Sequence, residues 1–117
     1  MYRLPSPEVI DTLSGRTVDQ VCICKFSASL VFDGGDYIGL MTPVMMRDSS
    51  DTEYRQVNPG ASGGDIARFA GDTIASLSIT SGTTISIAWR SGAELVLAGQ
   101  DRYESFEFMI HGKRMIV

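Results

Sequence analysis

The chain has 117 residues, of which 44% are hydrophobic and 21% charged, with a net charge of −4 and a pI near 4.8. This length and composition fit one folded domain and exclude a disordered chain, which needs low hydrophobicity and high net charge. The acidic balance argues against a nucleic-acid partner, because such proteins need cationic groups that neutralise phosphates.

The sequence also argues against a membrane protein. No stretch approaches the roughly 18 apolar residues of a membrane span. The first residues, MYRLPSPEVIDTLSG, carry acids and have no apolar core of a signal peptide. With Cys22 and Cys24 as its two cysteines, the chain is predicted to work in the reducing cytoplasm.

The first predicted unit, about residues 7–41, is a short helix followed by three strands. Pro7 to Leu13 is predicted as helix, because Ser6 is a suitable N-cap and proline fits the first helical position. Gly15 is predicted to end this helix in a left-handed conformation. Alternating residues predict the strands, with a hairpin turn at Asp33-Gly34-Gly35-Asp36.

The middle segment, about residues 47–64, is polar and rich in turn-forming residues, with a short strand predicted around Tyr54 to Val57. Its acids favour contact with a protein partner over catalysis. Gly60 to Gly64 precede a helix and could cradle a phosphate. They lack the Lys-Ser/Thr pair of a P-loop, so we expect a linker.

The second predicted unit, about residues 65–98, has the same order of elements as the first. At an offset of 56, Gly15 falls on Gly71 and Thr17 on Thr73, and the apolar positions of the helix and first strand coincide. Fixed-offset similarity of this kind predicts an internal duplication.

The alignment continues into the second strand with a one-residue gap. It places Ser29-Leu30-Val31-Phe32 over Thr84-Ile85-Ser86-Ile87. Trp89 then falls in a two-residue insertion before the predicted turn at Arg90-Ser91-Gly92-Ala93.

A C-terminal hairpin is predicted from about 103 to 117, with its turn at His111 and Gly112. Phe106 and Phe108 share one face of its first strand, and we expect them in the core rather than stacked on bases. Together the elements predict a mainly β fold with short helices. The expected architecture is an antiparallel β sandwich or partly open barrel with a pseudo-two-fold axis.

Candidate metal or catalytic groups are few. Cys22 and Cys24 are separated by one residue on a predicted strand, but a zinc site needs about four ligands and His111 is the one histidine. The repeat places Ser78 and Thr80 at the positions of the two cysteines, which argues against a metal site. We expect no catalytic, metal or cofactor-binding residues.

The second half carries a recurring pattern. Gly71 is followed by an apolar strand, the hairpin Gly92-Ala93-Glu94-Leu95, and the run from Arg102 to Phe108, RYESFEF. This pattern resembles a family of small, uncharacterised bacterial β-rich domains with the form G-x-x-[VI], an apolar strand, G-x-x-L and YE-[AS]-[WF]-E-[LF]. Gly15-Arg16-Thr17-Val18 is a weaker copy of its front half. The resemblance implies a β-rich fold and carries over no catalytic residues.

In size, acidity and lack of catalytic motifs, the chain also resembles the immunity proteins of bacterial toxin systems. We therefore expect a non-enzymatic, protein-binding chain that binds and neutralises a bacterial toxin domain, its acids meeting basic residues of that domain. The predicted contact residues are Asp48, Asp51, Glu53, Tyr54 and Arg55.

Two alternatives remain open from the sequence. One is a small-ligand or nucleotide-binding module with a pocket between the two halves. The other is a structural homo-oligomer, such as a homodimer, that associates through an exposed strand such as the terminal hairpin.

Overall fold

The structure, a computed structural model, describes residues 6–60, 64–81, 83–99 and 105–117. These residues form ten strands, which in chain order are β1 (Val18–Ile23), β2 (Ala28–Phe32), β3 (Tyr37–Leu40), β4 (Val44–Arg47), β5 (Arg55–Val57), β6 (Ile74–Ser81), β7 (Thr84–Trp89), β8 (Glu94–Ala98), β9 (Phe106–Ile110) and β10 (Lys113–Ile116). A short α-helix, α1 (Pro7–Asp11), precedes β1, and a 3-10 helix, Gly64–Phe69, precedes β6.

The strands form two antiparallel five-stranded sheets, and the fold is a sandwich-like arrangement that does not close into a barrel. Their strand orders are β1-β2-β3-β9-β10 and β5-β4-β8-β7-β6. The predicted mainly β class with short helices is therefore confirmed.

Each half of the chain contributes a hairpin to the sheet of the other half. After the meander β1–β2–β3, the chain crosses over and β4 pairs with β8. After the meander β6–β7–β8, β9 pairs with β3 in the same way. The hairpin β4–β5 thus takes the place in one sheet that β9–β10 takes in the other. The middle segment and the C-terminal hairpin are counterparts, which the sequence alignment did not include.

A bridge between Thr17 and Thr73 joins the first strands of the two halves. Four backbone hydrogen bonds surround it and form two equivalent pairs, in which each donor and acceptor lies 56 positions from its counterpart. The first pair is Gly15 N to Ile74 O (2.8 Å) and Gly71 N to Val18 O (2.8 Å). The second pair is Val18 N to Asp72 O (2.9 Å) and Ile74 N to Arg16 O (2.9 Å). Such reciprocal contacts are what an isologous two-fold interface produces. Here the interface lies within one chain.

The pairing of β6 with β7 corrects the predicted alignment of the second strands. Val18 faces Phe32, and Ile74 faces Trp89. Trp89 is therefore the counterpart of Phe32, and the predicted two-residue insertion before the turn is wrong. The physical reason is the period of a strand: a shift of two residues leaves every apolar side chain on the same face, so the pattern does not reveal it.

The helices supply buried side chains to the core. Ile10 and Leu13 of the first half, and Ile66 and Phe69 of the second, are at most 2% exposed. α1 ends two residues before the predicted end at Leu13, because the chain tightens into i to i−3 hydrogen bonds there. The Ser6 hydroxyl accepts from the Val9 amide at 3.4 Å, as a cap should.

One core joins both sheets. Phe69 packs on Trp89 with ring centroids 4.7 Å apart, and Phe106 meets Phe108 edge to face at 5.6 Å. The predicted core position of Phe106 and Phe108 is confirmed, since both are at most 1% exposed. The turn at His111 and Gly112 has positive φ at both residues, the geometry of a tight two-residue hairpin.

Candidate functional site

The predicted acidic contact residues are largely engaged within the protein. Arg55 Nη1 lies 3.1 Å from Asp51 Oδ2 and 3.4 Å from Asp48 Oδ2, and Arg55 Nη2 lies 3.4 Å from Asp65 Oδ1. Arg68 also pairs with Asp48. These contacts tie the β4–β5 hairpin to the Gly64–Phe69 helix. The charges of Asp48 and Asp51 are therefore mostly neutralised by the chain itself.

Tyr54 belongs to a second polar group on the same hairpin. Its hydroxyl donates to Glu94 at 2.5 Å, and Arg47 pairs with the other oxygen of that carboxylate. Arg47 Cζ also lies 4.9 Å from the centre of the Tyr54 ring, a cation–π contact. The hydrogen bond from Tyr54, and then the one from Arg47, lower the pKa of Glu94. The Tyr54 ring is thereby held in place while the residue stays exposed.

Glu53 is the one predicted acid that points to solvent without a described partner. It is exposed, and the described residues offer it no hydrogen bond or ion pair. Of the five predicted contact residues, Asp48, Asp51 and Arg55 thus shape the hairpin, whereas Glu53 and Tyr54 are presented at its surface.

Phe26, which the sequence reasoning missed, is the most exposed large apolar side chain of the described residues, at 77%. It lies in the turn between β1 and β2, and the Lys25 ammonium sits 5.2 Å from its ring centre. A cavity of about 260 Å³ lies beside it, lined also by Met41, Pro43 and Asn58. The signal in the sequence was an aromatic residue inside a polar turn, where burial is not expected.

The backbone at Gly60 sets the position of this turn. A Cβ there would lie 2.9 Å from Phe26 Cα, so only glycine allows the two segments to pack this closely. The turn that carries Phe26 is therefore fixed against the end of the β4–β5 hairpin.

Exposed side chains continue from Phe26 along the outer side of β4 and β5. Pro43 and Met45 are two residues apart, so they face the same way, and Met45 is 38% exposed. Gln56 lies opposite Met45, and Tyr54, two residues earlier, is 42% exposed. We call this surface, formed by Phe26, Pro43, Met45, Gln56 and Tyr54, the hairpin face.

A second cavity of about 220 Å³ lies on the outer side of the first sheet, over Gly39. The Tyr37 hydroxyl there donates to Glu107, and Arg114 Nε lies 3.1 Å from the same carboxylate. Burial alone would raise the pKa of Glu107, but the Tyr37 and Arg114 contacts outweigh it and lower the pKa. The same hydrogen bond raises the pKa of Tyr37. Both shifts move away from neutral pH, opposite to those of a general acid–base pair.

Cys22 lies where the repeat placed it. Cys22 is opposite Ser29, as Ser78 is opposite Ser86, so Cys22 and Ser78 occupy the same position in the two halves. Cys22 is half-buried, and both cysteines are free thiols. Within the described ranges, no three His, Cys, Asp or Glu side chains are grouped as a metal site would require.

Neither His111 nor the segment from Gly60 to Gly64 adds a further group to the candidate site. His111 has a φ of 53° in its turn, and its backbone amide donates to Asp36 Oδ1 at 3.0 Å. Of the segment Gly60 to Gly64, which the sequence predicts to be a linker rather than a phosphate cradle, residues 61–63 lie outside the described residues. Tyr103, the predicted start of the terminal hairpin, also lies outside them.

Comparison with protein-family models, curated proteins and solved structures finds no match for this chain. No helix in the described part of the chain has the length and apolar character needed to cross a membrane.

Proposed function

We propose that this chain acts in the cytoplasm by binding another protein, as a non-enzymatic, immunity-type inhibitor of a bacterial toxin domain. The observation that carries the proposal is the hairpin face. Three large side chains, Phe26, Met45 and Tyr54, are exposed along one surface although a folded chain gains by burying them. Aromatic residues and Met are enriched in protein interfaces, where a few well-buried side chains supply most of the binding energy.

Rigidity of the surface supports a binding role. Gly60 packs against the Phe26 turn, and Arg47 and Glu94 hold the Tyr54 ring. A side chain that is already ordered before binding loses less conformational entropy when the partner covers it, so the affinity gained per contact is higher.

The charge of the chain indicates the chemistry of the partner. The net charge is −4, and Glu53 stands exposed next to Tyr54 at the end of the hairpin face. A partner with a basic rim around an apolar patch complements this surface. A toxin domain that holds an anionic substrate with basic residues has such a rim, and the inhibitor would neutralise it by covering that site.

The sizes of the two cavities described above favour this proposal over a small-ligand site at either of them. Their volumes, about 260 and 220 Å³, lie below the range of roughly 300 to 1,000 Å³ of typical ligand pockets. The cavity beside the exposed Phe26 is large enough to accept one side chain of a protein partner.

The test is a binding titration with the purified products of the neighbouring genes, using Met45→Ser and Phe26→Ser. Each variant is expected to weaken binding at least about fivefold, since a truncated interface anchor costs more than about 1 kcal/mol. Met109→Ser is the matched control, because Met109 is half-buried on the outer side of the opposite sheet. Affinity that falls equally in Met109→Ser, or no binding and no neutralisation by the wild-type chain, would overturn the proposal.

A further inference from the structure

β6 forms one edge of the second sheet, with β7 as its neighbour. Beyond the single bridge at Thr73, no strand in the described part of the chain lies along the outer side of β6. Edge strands expose unpaired backbone N–H and C=O groups, which invite pairing with another chain. Natural proteins usually block such edges with charged residues, proline, bulges, short strands or a covering helix or loop. The helix α1 contacts β6, and Ser76, Ser78 and Thr80 of that strand remain exposed.

Three of the four sheet edges carry charged residues. β1 contains Asp19, the three-residue β5 begins with Arg55, and β10 begins with Lys113 and Arg114. β6 has eight residues, IASLSITS, and none of them is charged or proline. Bulges interrupt its ladder near both ends, and Ser76 to Ile79 form a regular segment between them.

The duplication makes β1 an internal reference for β6. The two strands hold equivalent positions at the edges of the two sheets, and each has a bulge after its first residue. Asp19 of β1 corresponds to Ala75 of β6, and Lys25 just beyond β1 corresponds to Ser81. The half with β1 thus carries charges on its edge, and the half with β6 carries none at the same positions.

We propose that β6 pairs antiparallel with β6 of a second copy of this chain, which joins the two second sheets into one continuous sheet. A two-fold axis at Ser78 places Leu77 of one copy opposite Ile79 of the other. Both side chains are half-exposed in the single chain and would cover each other. On the outer side, Ser78 meets Ser78. Such apolar and hydroxyl cross-strand pairs stabilise a sheet, and no like charges oppose each other.

Self-association rather than capture of a different chain follows from this symmetry, because every position of the segment meets a chemically similar one. The interface is small, since it consists of one short ladder. We therefore expect a weak dimer, with a Kd on the order of 10 µM to 1 mM. Because each copy carries a net charge of −4, added salt should strengthen the dimer by screening the repulsion.

The experiment is sedimentation equilibrium from low micromolar to about millimolar concentration. The wild-type mass is expected to rise from 12.7 kDa towards twice that value. Ser78→Lys, which places two ammonium groups at the axis, should stay at the monomer mass throughout. Gln20→Lys adds the same charge at an exposed position of the other edge strand, β1. This variant should dimerise like the wild type. Circular dichroism checks that each variant is folded.

A wild-type chain that remains monomeric throughout would overturn the proposal, as would a Ser78→Lys variant that still dimerises. Loss of the dimer in Gln20→Lys but not in Ser78→Lys would show that the interface lies on β1, and this result would also overturn the proposal. The salt dependence separates this association from binding of a basic partner, which salt should weaken. The two proposals can therefore fail independently.

Discussion

The hydroxyl oxygens of Thr17 and Thr73 lie 2.8 Å apart, and each threonine is the counterpart of the other in the repeat. The pair therefore marks the pseudo-two-fold axis of the molecule. The bridge and its four surrounding hydrogen bonds join the first strands of the two halves, and each half then lends a hairpin to the other. The fold depends on contacts between the halves rather than on each half alone.

Replacement of either threonine by valine should remove this hydrogen bond. We expect Thr17→Val and Thr73→Val each to lower the free energy of unfolding by about 0.5–1 kcal/mol, the usual net value of one hydrogen bond. The double variant should cost little more than either single variant, because one shared interaction is lost. Urea denaturation of the four proteins measures the coupling. Fully additive losses would show that the hydroxyls do not stabilise each other.

Gly15 and Gly71 should respond equally to substitution by alanine. Their φ angles are +84° and +87°, and a Cβ at either position would meet no atom within 4 Å. The cost therefore comes from the left-handed backbone alone, about 1–2 kcal/mol for each variant. Urea denaturation measures both.

Gly39→Ala is the control for this pair. Gly39 does not have a left-handed φ, and a Cβ there would lie at an ordinary 3.5 Å from Glu107 Cβ. It should cost clearly less than the other two substitutions. Unequal losses at Gly15 and Gly71 would contradict the equivalence of the two helix ends.

Arg55→Met should destabilise the β4–β5 hairpin. Arg55 contacts Asp48, Asp51 and Asp65, and its removal leaves three carboxylates close together without that cation. The loss of stability should shrink in high salt, because these groups are partly exposed and salt screens their repulsion. Thermal denaturation at low and high salt measures it. Arg90→Met, at an exposed arginine without a described ion pair, should show no comparable dependence on salt.

Glu107→Gln should change how stability responds to acid. The pKa of Glu107 lies below its ordinary value of 4.5 in the folded protein. The ionised carboxylate therefore stabilises the fold above about pH 4.5, and this contribution is lost as the pH falls through the lowered pKa. We expect Glu107→Gln to be less stable than the wild type at pH 7, and the difference to narrow by about pH 3.

Urea midpoints at the two pH values measure this effect. Glu53→Gln is the control, since Glu53 is exposed and has no described contact. A gap between Glu107→Gln and the wild type that stays constant with pH would contradict the assigned role of the Tyr37–Glu107–Arg114 group.

Much of the secondary structure followed from the sequence because its signals are local. A serine cap and proline begin α1, glycines with positive φ end the first helical segments, and His111 with Gly112 makes the last hairpin turn. Alternation likewise identified the buried face of β9, which carries Phe106 and Phe108. The one strand of the middle segment was predicted to within one residue, but β4, which lies between the first unit and that segment, was not predicted.

The candidate site was less predictable than the fold. Asp48 and Asp51 looked like a free acidic surface, yet they pair with Arg55 and Arg68. Arg68 is remote in sequence and meets Asp48 only after the hairpin has crossed to the other half. The exposure of Phe26 likewise depends on how its turn packs against Gly60, which lies far away in the sequence.

The sequence by itself determined that this protein is β-rich, that it contains two related halves, and that Thr17 and Thr73 are equivalent. Local propensities and fixed-offset similarity are enough for that, since both are written along the chain. Only the tertiary structure decided that Thr17 meets Thr73, that Trp89 matches Phe32, and that each half completes the sheet of the other. The apolar pattern of a strand repeats every two residues, so it does not reveal a shift of two residues. Each hairpin joins the sheet of the other half because its apolar side covers a surface on that half. The sequence of the hairpin alone does not contain this information.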